Sequence, residues 1–141
     1  MRNSASADGK TVYIGGTSSK TLEVYRRNTN NGELSFLQRF NLKMGVDNID
    51  VAADGSVWVA GHPKVMALIS HFASQGEQPA PSQVYILPLD TMANDGSLAE
   101  PVDLFTSLGD DLSASSVAAE YQGRFYLGGI TPKRMLVCTP G

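Results

Sequence analysis

The sequence predicts an all-β chain, an incomplete β-propeller of about two and a half to three four-stranded antiparallel blades. One short phrase occurs three times. Asp8-Gly9 leads into Thr11-Val12-Tyr13-Ile14-Gly15-Gly16, Asp54-Gly55 into Val57-Trp58-Val59-Ala60-Gly61, and Gln122-Gly123 into Phe125-Tyr126-Leu127-Gly128-Gly129. Each copy is a tight turn, an alternating apolar run with a central aromatic, and small residues to finish, which is a hairpin signature. The copies start 46 and 68 residues apart, and a propeller blade repeats every ~40–50 residues. The longer interval needs an insertion, and residues 90–112 supply one. Propellers close with about 4–8 blades, so the ring is incomplete.

The first blade spans 1–41. Residues 3–7 are the remnant of a first strand, 12–15 the second, 21–27 the third and 34–40 the fourth, with a turn-rich Asn-Thr-Asn-Asn-Gly at 28–32. The second blade spans 42–90. Residues 46–52 alternate apolar and polar as a half-buried strand. Residues 57–60 are the second strand, 65–72 the third, and 83–89 the fourth. The pattern of 65–72 also fits one or two helical turns. A polar, proline-bearing loop covers 74–82. The insertion at 90–112 is read as a loop carrying Asn94-Asp95-Gly96, Pro101 and Gly109-Asp110-Asp111, with a short apolar run at 102–105. The third blade, 113–141, has strands at 115–121, 125–128 and 134–138 and then ends one strand short. Blades stabilise one another by stacking, so self-association or pairing with the missing blades is expected.

Composition excludes several classes. The chain has 141 residues, 42% of them hydrophobic, and a net charge of −3. That is one folded domain with no basic footprint for nucleic acid. The longest apolar run, 65–69, is far from the ~18 residues of a membrane helix, so no membrane span is expected. No secretory signal is visible at the start, and the compartment stays open. Cys138 is the only cysteine. It is unpaired within the chain, either a small buried apolar residue or one whose partner lies elsewhere.

Three places could carry chemistry. Asp47-Asn48 starts the first strand of the second blade, and first strands line a propeller's channel. The pair presents hard oxygen ligands of the kind Ca²⁺ prefers, or it is a turn-forming pair before a strand. Neighbours on a strand point to opposite faces, so both can serve one ion only where the strand is irregular. His62 follows the second strand and returns to the same end of the blade. It could act as a general base, hydrogen-bond donor or ligand, or be a satisfied loop histidine. Ser115-Ser116 takes the corresponding place in the third blade, or is a polar strand start. His71 receives no function. No Gly-x-Ser-x-Gly elbow, P-loop, dinucleotide fingerprint or zinc spacing occurs. Asn94-Asp95-Gly96 fails as an EF-hand because Thr91 and Val102 stand where acids are required.

Three stretches together resemble one family. Val46-Asp47-Asn48-Ile49-Asp50-Val51 runs into Trp58-Val59-Ala60-Gly61-His62-Pro63. Asp8-Gly9-Lys10-Thr11-Val12-Tyr13-Ile14 opens the chain, and Ser115-Ser116-Val117-Ala118 leads to Tyr121-Gln122-Gly123 and Leu136-Val137-Cys138. This resembles the C-terminal part of the paraoxonase/arylesterase family, six-bladed propellers related to strictosidine synthase-like and gluconolactonase-like enzymes. The resemblance implies calcium-dependent hydrolysis of small esters or lactones, with Ca²⁺ at the bottom of the channel polarising the carbonyl. Asp47 and Asn48 match two metal ligands, His62 matches a histidine lining the active site, and Ser116 matches a small hydroxyl residue near the pocket. The other ligands, and the histidine pair that activates water, lie N-terminal to the matching region. One further ligand would fall at about Met1, with Asn3 out of register. Cys138 matches a cysteine that family members join to one near their N-terminus, and the parent is expected to be secreted. The expectation is therefore a truncated member of the family, weakly active or inactive alone. The alternative is a non-catalytic propeller fragment acting as an interaction or assembly module.

Overall fold

A computed structural model describes residues 1–88, 97–131 and 134–139. The described elements run β1 (Arg2–Ala5), β2 (Thr11–Gly16), β3 (Thr21–Arg27), β4 (Leu34–Asn41), β5 (Gly45–Val51), β6 (Val57–His62), α1 (Val65–Ala73), β7 (Ser82–Leu87), β8 (Val102–Ser107), β9 (Ser115–Tyr121), β10 (Arg124–Gly129) and β11 (Met135–Cys138). They form three antiparallel sheets, β1 to β4, β5 to β8 and β9 to β11, in which each strand pairs with the next. This is all-β, and three successive up-and-down sheets agree with an incomplete propeller. The first strands stand side by side, β1 against β5 and β5 against β9.

The three turns of the repeated phrase differ in chemistry but share a glycine at positive φ. Asp8 accepts hydrogen bonds from the Lys10 N–H and Ser6 hydroxyl, which hold its carboxyl below the usual range. Asp54 likewise accepts from the Ser56 hydroxyl and N–H. Gly55 sits at φ 86°, a conformation that costs glycine nothing and other residues a clash. Gln122 and Gly123 both take positive φ, as a two-residue hairpin turn requires.

The second sheet is buried on both faces, which explains the near-continuous apolar run of β6. Val57 and Val59 enter a core with Tyr13, Leu22 and Phe40 of the first sheet. Trp58 and Ala60, on the other face, enter a core with Ala118 and Leu127 of the third. Trp58 stacks on Phe125 with ring centroids 4.9 Å apart, and its indole N–H donates to Ser56 at 3.1 Å.

Two expectations are corrected. Residues 65–72 are not the third strand of the second blade; they lie in α1. The segment lacks Gly and Pro, buries His71 and half-buries Ala67 and Leu68, a spacing of three to four that suits a helix. His71 is fully buried and fastens α1, one ring nitrogen meeting the Gln78 carbonyl and the other the Thr131 hydroxyl. The strand expected as fourth is β7, the third. The fourth is β8, inside the stretch read as an insertion loop. The dense Asn, Asp and Gly around 102–105 disguised that strand. Leu89 and the Asn94-Asp95-Gly96 turn lie outside the described residues.

The small residues that end each copy of the phrase permit close approach between strands. A Cβ on Gly15 would lie 2.4 Å from Val46 Cγ1, and one on Gly61 would lie 2.1 Å from the Gly45 carbonyl oxygen. The second clash is with backbone, which cannot yield cheaply. Gly61→Ala should therefore destabilise the fold by about 2–3 kcal/mol, read as a lower denaturation midpoint. A midpoint equal to wild type would show that the β5–β6 contact relaxes without cost.

Candidate functional site

The site begins with an irregularity in β5. Val46 pairs with Gly61 and Asn48 with Ala60, leaving Asp47 unpaired in a β-bulge. Val46 and Ile49, three positions apart instead of two, both enter the core shared with the first sheet. Asp47 and Asn48 are thus both left out of that core. The irregular strand that a shared ligand role would need is present. The Asp47 side chain is 20% exposed, and Asn48 is exposed with its Oδ1 accepting the Ile49 N–H at 3.0 Å.

Strand pairing brings His62 to this pair, because Gly45 and His62 face each other at the ends of β5 and β6. His62 Nε2 lies 3.6 Å from Asp47 Oδ2. The His62 side chain is only 4% exposed, and its Nδ1 is buried without a hydrogen-bond partner. Burial pushes its pKa below the ordinary 6.5, while the Asp47 carboxylate pulls it back upward. In neutral imidazole one nitrogen donates and the other accepts. With Nε2 facing a carboxylate, we assign the proton there, which leaves the Nδ1 lone pair open.

Ser116 repeats the geometry of Asp47 on the neighbouring strand. Ser115 pairs with Gly129 and Val117 with Gly128, so Ser116 is the extra residue of a bulge in β9. It is partly buried, and no hydrogen bond joins it to Asp47, Asn48 or His62. Its neighbour Ser115 is structural. Fully buried, it donates its hydroxyl to the Gly61 carbonyl at 3.1 Å and its N–H to Ser82 at 2.9 Å. These bonds tie β9 to the second sheet.

Arg2 is the residue that sequence reasoning missed. Its Nη2 lies 3.4 Å from Asp47 Oδ1. The pair is 45 positions apart in sequence, so no motif could have linked them. Only the packing of β1 beside β5 does. Asp47 thus faces a guanidinium through one oxygen and an imidazole through the other. Among the described residues, no group of three or more His, Cys, Asp or Glu side chains is clustered to hold a metal ion. A cavity of about 360 Å³ lies elsewhere, between the second and third sheets. It is lined by Trp58, Phe105, Phe125, Leu127 and Cys138 and contains none of the site residues. Cys138 is a free, partly buried thiol. No described helix is long and apolar enough to cross a membrane.

Known proteins are similar to this chain in sequence. The arylesterase family model matches residues 3–139. Human serum paraoxonase/arylesterase 1 is 30% identical over 133 residues, which covers 92% of this chain and 35% of that protein. Rabbit (Oryctolagus cuniculus) serum paraoxonase/lactonase 3 is 30% identical over 131 residues, again 92% of this chain and 35% of the relative. The human paraoxonase/lactonase 3 is 28% identical over a stretch of the same length. The chain therefore spans about a third of the length of these relatives. With the model matching nearly its whole length, the chain belongs to the arylesterase (paraoxonase) family.

Proposed function

We propose that this chain carries part of a calcium-assisted site for hydrolysing carboxylic esters or lactones, with Asp47 and Asn48 as metal ligands. The observation that carries this reading is the bulge at Asp47. It leaves a carboxylate and an amide from adjacent residues outside the core on an innermost strand. The names of the relatives, arylesterase and lactonase, support the reaction class. The donor type fits, since Ca²⁺ is bound by carboxylate and amide oxygens. The donor number is small, because Ca²⁺ takes 6–8 oxygens and this pair supplies two side chains. The site is accordingly weak, with a dissociation constant of roughly a millimolar or more. A bound calcium would supply a Lewis acid that polarises the ester or lactone carbonyl.

The chain's own residues supply the surroundings. Neutral His62 donates from Nε2 toward Asp47, orienting the carboxylate. Its unpartnered Nδ1 is an acceptor for a hydroxyl or water brought by the ligand. The Ser116 hydroxyl lines the same end of the innermost strands. With two side-chain ligands in place, the chain alone is proposed to turn over little or no substrate.

A second reading, a non-catalytic assembly module, is favoured by one observation. Val117, Met135 and Val137 are 37%, 59% and 49% exposed on the face of the third sheet turned away from the second. Self-association or pairing with further blades would cover it.

Calorimetric titration should show weak Ca²⁺ binding that Asp47→Ala abolishes and Asn48→Ala weakens. Absence of binding to wild type favours the assembly module. Phenyl acetate hydrolysis by the chain alone should stay at the buffer rate with and without calcium. A clear calcium-dependent rate lost in Asp47→Ala would overturn the proposed inactivity.

A second expectation concerns pH. The unfolded chain takes up a proton on His62 near pH 6.5, and the folded chain only at lower pH. The unfolded state thus binds more protons between those two values, so stability falls as pH drops below about 6.5. Denaturant titrations between pH 7.5 and 5 should show that loss, and His62→Gln should flatten it. Asp47→Asn should steepen it by removing the group that favours the imidazolium. A pH slope unchanged in His62→Gln would show that His62 titrates alike in both states.

A further inference from the structure

We infer that Arg2 is a built-in cation that competes with a metal ion for Asp47 and sets the affinity of the site. The inference rests on the calcium reading above and names how that site is controlled. The Arg2 Nη2 lies 3.4 Å from Asp47 Oδ1. A calcium ion bound to a carboxylate oxygen sits about 2.3–2.6 Å from it, so ion and guanidinium would be close neighbours. The guanidinium is a cation with no acceptor to offer a metal ion. Binding therefore either repels Arg2 or carries a standing like-charge penalty.

The surroundings leave Arg2 no other carboxylate. On its own sheet it stands in a row with Gly15, Leu22 and Phe40, none of them acidic. Asp47 is its one ion-pair partner among the described residues. The other arginine paired on this sheet, Arg39, is satisfied by Glu23 at 2.7 Å. The Arg2 side chain is also 59% exposed, so it can swing into solvent at the start of β1. It is a gate that a divalent ion can open at a cost.

Removing the charge should expose the intrinsic affinity of the Asp47-Asn48 pair. Calorimetric titration of CaCl₂ into the full chain at low ionic strength compares wild type, Arg2→Gln, Arg2→Lys and Arg39→Gln. Arg2→Gln should bind about three- to fivefold more tightly, because Arg2 is mostly exposed and can turn away, so the ion displaces only an exposed ion pair. Arg2→Lys should stay within about twofold of wild type because it keeps the charge. Arg39→Gln, which changes net charge equally but away from the site, should do the same. Equal affinity of Arg2→Gln and wild type, with binding still lost in Asp47→Asn, would overturn the gate and leave the calcium site standing. Binding that survives Asp47→Asn in the Arg2→Gln background, or no binding by any variant, would overturn both. Thermal melts of each variant confirm that folding is retained, as the exposure of Arg2 leads one to expect.

Discussion

Everything in this molecule is arranged around the burial of one sheet on both of its faces. The second sheet sits between the first and the third, so β6 must be apolar on alternate residues in both directions. Val57 and Val59 meet one neighbour, Trp58 and Ala60 the other. Where β5 is approached most closely, side chains have to vanish, and Gly15 on β2 and Gly61 on β6 are the result. The packing of β1 beside β5 carries Arg2 to Asp47, and the pairing of β6 with β5 brings His62.

Electrostatics at Asp47 follow from this packing. The bulge frees its carboxylate from strand pairing, and two nitrogen-bearing side chains take the two oxygens. They differ in kind. The guanidinium is more than half exposed to solvent. The buried imidazole is held neutral by desolvation and keeps one nitrogen without a partner. An unsatisfied buried acceptor costs stability unless a ligand or water completes it. A fold that keeps such an atom beside a freed carboxylate has the makings of a binding site, and membership of the arylesterase family indicates what class of ligand to test.

Much of this was legible before any coordinates. The turn pairs Asp8-Gly9, Asp54-Gly55 and Gln122-Gly123 marked three hairpins, because positive φ and side-chain capping are local demands that leave a local trace. Strands β3 and β9 carried their alternation openly. The misreadings have the same root in reverse. In 65–72 an apolar run without charges satisfied both periods, and only the burial of His71 against Gln78 and Thr131 selects a helix. The strand β8 hid in polar surroundings because it lies at the outer edge of its sheet, where Val102 and Leu104 remain exposed and little hydrophobic pattern is required.

The sequence by itself determined the fold class, the repeat, the hairpin turns, the family resemblance and the candidacy of Asp47, Asn48, His62 and Ser116. It could do so because turns, alternation and short motifs are written within a few residues of one another. Tertiary structure alone decided how those residues relate. The bulges that set Asp47 and Ser116 apart depend on a partner strand, the burial that neutralises His62 on a neighbouring sheet, and the pairing of Arg2 with Asp47 on two strands meeting side by side. Contacts between residues far apart in the chain leave no local trace, and the electrostatics of this site consist largely of such contacts.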